Sequence, residues 1–195
     1  SRLSRGLGDV YKRQHSSRCH IRLLEKKMSD PINLKEMPDQ AKVIFKCNGK
    51  PVGKMRNELT VDMVSPLKET FELATDEGSF HGGDATAPPP LALFIASITG
   101  CIMTQIRAFS KRMKIQVEDL NVETKVTWNW KKVENIYETS PEKLEMNIFI
   151  DSSESLERVK ALVQASKKGC FIEQTLSQKN TVNHKLKIQD KWLDI

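Results

Sequence analysis

Two cysteines stand where a thiol could do chemistry. Cys101 ends the stretch TAPPPLALFIASITGC, and Cys170 lies in KKGCFIEQTL, directly after Gly169, where a new helical turn is predicted to begin. The free N–H groups and the dipole at a helix N-terminus favour a thiolate, which is the form that attacks peroxides and disulfides. The alternative is a packing role, because free cysteine is among the most buried residue types. A separation of 69 positions does not decide whether the two thiols meet.

The other polar candidates have simpler interpretations. Cys47 follows a predicted strand and is expected to be a buried small residue. His81 and Asp84, in FHGGDA, are either substrate contacts or the polar surface of a glycine-rich turn. The sequence contains no CxxC and no Cys/His cluster with zinc spacing, so a structural metal is not expected. Scattered cysteines favour a reducing cytoplasm over a secreted disulfide framework.

The net charge of +6 comes entirely from the first residues of the chain. Residues 1–27 hold 8 basic and 2 acidic side chains, which leaves 23 of each sign in residues 28–195. A neutral body lacks the electrostatic footprint of a nucleic-acid-binding protein. We therefore interpret Trp128 and Trp130, on one face of a predicted strand, as packing residues rather than a platform for stacked bases.

Residues 1–27 are predicted to be a non-native or disordered leader. The segment 4–14, SRGLGDVYKRQ, resembles the in-frame translation of a sequencing adapter, and the natural start is expected at Met28. A basic targeting peptide is the weaker alternative, because the segment has no long apolar stretch and no small-residue cleavage site. Residues 28–195 are long enough for one domain with a core.

The elements that must position the thiols follow from hydrophobic periodicity and turn residues. The order is β-β-β-α-β-β-α-β, an α+β fold with mostly antiparallel pairing. The predicted strands are 41–47, 58–64, 68–76, 120–130, 143–150 and 181–189, and the predicted helices are 88–113 and one between an N-cap region at 151–154 and a C-cap at Gly169. Asn48-Gly49 is predicted to head a turn, and 131–142 a polar hairpin loop.

The predicted helix 88–113 is apolar or small on nearly every side until its last turns. A helix that is apolar all round is a buried helix, so we expect it to lie across a sheet and to be covered by a second subunit. Its apolar run is broken by Ser97, Thr99 and Gly100, and no membrane-spanning segment is predicted, which favours a soluble chain.

The stretches GGDATAPPPLALFIASITGC and KKGCFIEQTL together resemble the OsmC/Ohr superfamily, bacterial antioxidant proteins that reduce organic hydroperoxides. The resemblance covers residues 41–189. It implies an intertwined homodimer with the central helices at the interface, Cys101 as the peroxidatic nucleophile and Cys170 as the resolving thiol. It also implies an activating arginine, for which Arg56 is the candidate by position, and an external dithiol such as a lipoyl group as reductant.

Two positions depart from the family pattern. Leu91 stands where peroxidase members carry a glutamate that pairs with the arginine, and Phe171 follows Cys170 where proline is common. Leucine cannot form that ion pair. A non-catalytic protein that keeps the fold to bind a small hydrophobic ligand is therefore the alternative to a peroxidase.

Overall fold

The computed structural model describes residues 39–195, so the predictions about the leader lie outside the described residues. The strands are β1 Ile44–Val52, β2 Arg56–Ser65, β3 Glu69–Thr75, β4 Asp119–Val133, β5 Ile136–Asp151, β6 Lys185–Ile188 and β7 Lys191–Asp194. The helices are α1 Pro90–Met113, α2 Leu156–Gly169 and α3 Phe171–Ser177, with a 3-10 turn at Ser79–His81. The chain divides into two compact units, the first ending at Pro90 and the second spanning Leu91–Ile195.

The first unit is an antiparallel sheet in the order β1-β2-β3. The predicted turn at Asn48-Gly49 is wrong, because these residues stay in β1 and pair with Thr60 and Leu59. The chain reverses at 53–55 instead, where Gly53 has a φ of +70°. Glycine adopts this left-handed conformation without a steric penalty, which explains why the turn forms there.

One face of this sheet is apolar and open. Residues directly opposite each other in a sheet share a face, and the register aligns Cys47 with Val61 and Val61 with Phe71. Phe45 is 52% exposed and Phe71 is 41% exposed. Cys47 is exposed as well, so the expectation of a buried small residue is wrong. Within residues 39–195, Phe45, Cys47 and Phe71 on this strand face are all exposed.

The core of the second unit forms where α1 lies on the β4–β5 hairpin and α2 packs beside it. The side chains shared by these elements are Ile102, Ile106, Ile115, Val122, Leu162 and Cys170. A hydrogen bond of 2.8 Å between the hydroxyl groups of Thr99 and Thr124 also joins α1 to β4. The expectation that the central helix lies across a sheet is confirmed.

Burial of α1 is one-sided within the chain. Its buried residues are Ile98, Ile102, Ile106 and Ser110, spaced four apart along one stripe. Leu91 is 56% exposed, and Ala96 and Gly100 are exposed too. By length and composition α1 is the one helix among residues 39–195 that could cross a membrane, with a mean hydropathy of 1.5, although core helices of soluble proteins meet the same criteria.

The β4–β5 hairpin is longer than predicted. The segment 131–142 is not a loop, because Lys131 pairs with Glu138 and Lys132 pairs with Tyr137. A tight turn suffices, since Glu134 adopts a left-handed φ of 52°. Cross-strand pairing of a charged and polar extension therefore overrides its loop-like composition.

The tryptophans of β4 make ring contacts. The ring centroids of Trp128 and Phe94 are 6.2 Å apart. Trp130 is 63% exposed and makes an edge contact with Tyr137, with 5.8 Å between the ring centroids. These geometries and distances fall in the range of aromatic packing pairs.

The C-terminal part agrees with the prediction at one element and differs at two. The new helical turn predicted after Gly169 is the short helix α3. The predicted strand 181–189 is instead a hairpin of β6 and β7 that reverses after Gln189, which has a φ of 54°, and α2 begins after Ser155 rather than within the predicted cap region 151–154. Strands of four residues carry too little periodicity to be recognised.

Candidate active site

Cys101 lies in the middle of α1, at the edge of its buried stripe. It precedes the fully buried Ile102 and is itself only half-buried. A cysteine at this helical position packs one side of its thiol against the core and leaves the other side accessible.

Cys170 is the N-cap of α3 and is completely buried. Its carbonyl oxygen accepts the first hydrogen bond of α3, from the N–H of Gln174 at 2.9 Å. The N–H groups of Ile172 and Glu173, in the first turn of α3, lie near its side chain and lower the pKa of its thiol. Cys170 therefore joins the end of α2 to the start of α3.

The two thiols meet in the core of the second unit. Cys101 packs against the buried cluster that contains Cys170, and it lies close enough to Cys170 to raise the pKa of that thiol. Both thiols are free rather than joined in a disulfide. Tertiary packing thus answers the question that the spacing of the two cysteines left open.

The start of α3 lowers the pKa of the Cys170 thiol as expected, but burial outweighs this effect. Together the surroundings raise the pKa from an ordinary value of 9.0 to about 11; burial is the largest cause, and the interaction with the Cys101 thiol also raises it. The N–H groups of Glu173 and Ile172 lower this pKa, but by less. Removal from water disfavours the charged form, so Cys170 is a protonated donor at neutral pH.

Arg56 lies at the start of β2, in the first unit. Its Nε donates to Glu58 Oε1 at 2.6 Å. Its Nη1 donates to the carbonyl oxygen of Thr86 at 3.1 Å and to the hydroxyl oxygen at 3.0 Å. The guanidinium is therefore oriented by a carboxylate from its own strand and by the loop that leads to α1.

Asp76, at the end of β3, organises the same loop, and no sequence signal singled it out. Its side chain is 1% exposed and accepts hydrogen bonds of 2.8 Å from the N–H groups of Glu77 and Thr86 and from the Thr86 hydroxyl. The two hydrogen bonds from Thr86 are the main cause that lowers the pKa of Asp76. A carboxylate that accepts several N–H donors stays ionised.

The remaining loop candidates lie near the protein surface. Asp84 forms an exposed ion pair with Lys54 at 2.7 Å, as expected for a polar turn. The ring of His81 makes an edge contact with Phe80 at 4.8 Å. Between residues 39 and 195, no group of three or more His, Cys, Asp or Glu side chains is arranged to hold a metal ion.

Residues 82–185 match the family model described as OsmC-like protein, which is more than half of the chain. The chain belongs to the OsmC-like family. The chain is similar to a solved structure of an OsmC-like hydroperoxide resistance protein from Jannaschia sp. CCS1, with 57% sequence identity and a TM-score of 0.55. The match covers 78% of this chain and 98% of the Jannaschia chain. No curated protein matches the chain.

A second solved structure supports the OsmC-like fold alone. It is an OsmC-like protein from Mycoplasma pneumoniae, 14% identical over 72% of this chain and 89% of the other, with a TM-score of 0.50. The predicted α+β fold with antiparallel sheets and a long central helix is confirmed. The OsmC-like chain carries Leu91 in the first turn of α1, exposed to solvent, and the carboxylate that pairs with Arg56 within the first unit belongs to Glu58.

Proposed function

We propose that this OsmC-like protein is a thiol-dependent peroxidase that reduces organic hydroperoxides, with Cys101 as nucleophile and Cys170 as resolving thiol. The observation that carries the proposal is the asymmetry of two neighbouring thiols, of which Cys101 is half-buried and Cys170 fully buried. A peroxide can reach only the first. The name of the Jannaschia relative, a hydroperoxide resistance protein, supports this class of substrate.

In the first step the Cys101 thiolate attacks one oxygen of the hydroperoxide. The O–O bond breaks, an S–O bond forms, and the alkoxide leaves and takes a proton to become an alcohol. Cys101 is oxidised to a sulfenic acid, the first step of the cysteine oxidation ladder.

In the second step the sulfur of Cys170 attacks the sulfur of the Cys101 sulfenic acid. The S–O bond breaks, the disulfide forms, and the hydroxyl group leaves with the Cys170 proton as water. An external dithiol then reduces the disulfide by thiol–disulfide exchange and is itself oxidised. No metal or bound cofactor takes part.

Arg56 is the proposed activating cation. Its guanidinium is held by Glu58 and Thr86, which fixes the direction in which the remaining N–H groups point. A pre-oriented cation stabilises developing negative charge without reorganisation during the reaction. Glu58 would then take over the pairing that the family assigns to a glutamate at the position of Leu91.

A homodimer in the cytoplasm is the proposed assembly. The open apolar face of the β1–β3 sheet and the exposed side of α1 are surfaces that a monomer would leave in water. Exposed apolar patches of this kind mark association sites. Sedimentation of the intact chain as a monomer at micromolar concentration would contradict the dimer.

The second candidate function is non-catalytic binding of a small hydrophobic ligand. The observation in its favour is Leu91, an exposed apolar side chain where peroxidase members carry a carboxylate. Under this alternative the two thiols are packing residues, and the protein does not consume peroxide.

Consumption of an organic hydroperoxide in the presence of a dithiol separates the two candidates. We expect turnover by the intact chain and by Cys47→Ser, which removes an exposed thiol, and none above background by Cys101→Ser. Cys170→Ser should accumulate a Cys101 sulfenic acid, detected as a mass increase of one oxygen. Equal rates for the intact chain and Cys101→Ser would remove the peroxidase.

A further inference from the structure

Gly169, the last residue of α2, lies directly against the ring of Phe109 on α1. A Cβ atom added at Gly169 would come within 2.6 Å of Phe109 Cζ, 2.8 Å of Phe109 Cε2 and 3.4 Å of Gln105 Oε1. Distances below 3 Å are not tolerated between carbon atoms, so even one methyl group would push the two segments apart. Gly169 needs no left-handed conformation, which means that close approach, rather than helix capping, requires glycine here.

The partly buried ring of Phe109 has contacts that oppose its moving aside. It packs against the buried cluster of the second unit, and the guanidinium of Arg112 lies over it, 5.3 Å from the ring centroid. The strain of an added methyl group would therefore fall on the junction between α2 and α3. That junction is Cys170, the residue bonded to Gly169.

The contacts of this junction follow one line along α1. Cys101, Gln105 and Phe109 are spaced four residues apart, so they lie above one another on the same side of the helix. Cys170 meets Cys101 at one end of this line, and Gly169 meets Phe109 and Gln105 farther along. The Gly169–Phe109 contact thus fixes the distance between α1 and the chain segment that carries the second thiol.

We propose that Gly169 and Phe109 are positioning residues that set the approach of the Cys170 sulfur to the Cys101 sulfur. The consequence for turnover rests on the proposed peroxidase function, whereas the consequence for disulfide formation needs only the two thiols. To relieve a contact of 2.6 Å, the junction must move by roughly 1 Å, and a misplacement of this size can cost about 100-fold in a reaction between held groups.

The test compares the intact chain with Gly169→Ala, Phe109→Leu and the double variant, all carrying Cys19→Ser and Cys47→Ser. The first readout is the equilibrium constant for the Cys101–Cys170 disulfide in glutathione buffers. We expect Gly169→Ala to lower it at least about 10-fold, toward the about 100-fold limit for misplaced groups. The double variant should return to within about threefold of Phe109→Leu, because leucine lacks the two ring atoms that clash.

The second readout is the fraction of Cys101 that passes from sulfenic to sulfinic acid under excess peroxide. Slower resolution leaves the sulfenic acid exposed for longer, so Gly169→Ala should raise this fraction, and the double variant should reverse the rise. Gly78→Ala is the matched control. A Cβ atom added at Gly78 meets no atom within 4 Å, so this variant should leave both readouts unchanged.

Each result has one meaning. An unchanged disulfide equilibrium in Gly169→Ala overturns the positioning role. The positioning role is also overturned if adding Gly169→Ala to Phe109→Leu lowers the disulfide equilibrium constant by about 10-fold or more. This comparison remains available if the single variant Gly169→Ala does not fold. A changed equilibrium together with no peroxide consumption by the intact chain supports the positioning role and rejects the peroxidase.

Discussion

The buried thiol of Cys170 should make the second step of the proposed reaction strongly dependent on pH. Burial is the main cause that raises its pKa to about 11, against 9.0 for an ordinary cysteine. Only the thiolate form attacks the sulfur of a sulfenic acid efficiently. The rate of disulfide formation should therefore follow the small ionised fraction of Cys170.

The size of the effect follows from this pKa. Between about pH 8 and about pH 10 the ionised fraction rises about 90-fold for a thiol with a pKa of about 11, but only about 10-fold for one at 9.0. In the sulfenic acid intermediate Cys101 no longer carries a thiolate charge, whereas burial remains. The expected rise in rate lies between these limits, with no plateau below about pH 10.

The assay mixes reduced Cys47→Ser protein with one equivalent of an organic hydroperoxide. Samples are quenched in acid at set times, and the disulfide form is quantified by mass after alkylation. Formation of the sulfenic acid is timed separately in Cys170→Ser at each pH, so that the two steps are not confused. A rise of about 10-fold or less that levels off near pH 9 would refute a buried, protonated Cys170.

Three further predictions concern stability. The pKa of Cys170 is raised above 9.0 in the folded state, so its contribution to the free energy of unfolding is complete below about pH 9 and is lost as the pH rises to about 11. Urea unfolding should show a loss of about 3 kcal/mol over this range, and the Cys170→Ala variant should not show it. Asp76→Asn should lower the melting temperature at neutral pH. The pKa of Asp76 is lowered below 3.8 in the folded state, so the difference in melting temperature between the intact chain and Asp76→Asn should be full above about pH 3.8. The difference should disappear as the pH falls through the folded-state pKa. Leu162→Ala, at a fully buried position, should cost about 2–5 kcal/mol in chemical unfolding, and a loss under about 1 kcal/mol would contradict its core position.

Much of the fold could be predicted because most of its elements are long and periodic. The central helix begins within two residues of the prediction, and the inward residues of β4 alternate as expected from Leu120 to Trp128. The errors fall where local composition and pairing disagree. Asn48-Gly49 has the composition of a turn, and residues 131–142 have that of a loop, but cross-strand hydrogen bonds hold both in strands.

The candidate site divides in a similar way. Cys101 and Cys170 are predicted from their sequence contexts, and Arg56 from its position. The sequence does not predict that Arg56 pairs with Glu58, nor that Asp76 accepts hydrogen bonds from Thr86. These partners are ordinary polar residues whose importance comes only from the groups that they contact.

The sequence by itself determined which residue types are available: two thiols in helical contexts, a long apolar helix and a neutral body. Tertiary structure decided how they behave. Burial reversed the expected effect of a helix N-terminus on Cys170, because loss of hydration raised its pKa by more than two N–H groups lowered it. Close packing explains why glycine is required at position 169, which no turn rule predicts. The contact of Gly169 with Phe109, 60 positions away, forms only when α1 and α2 pack together.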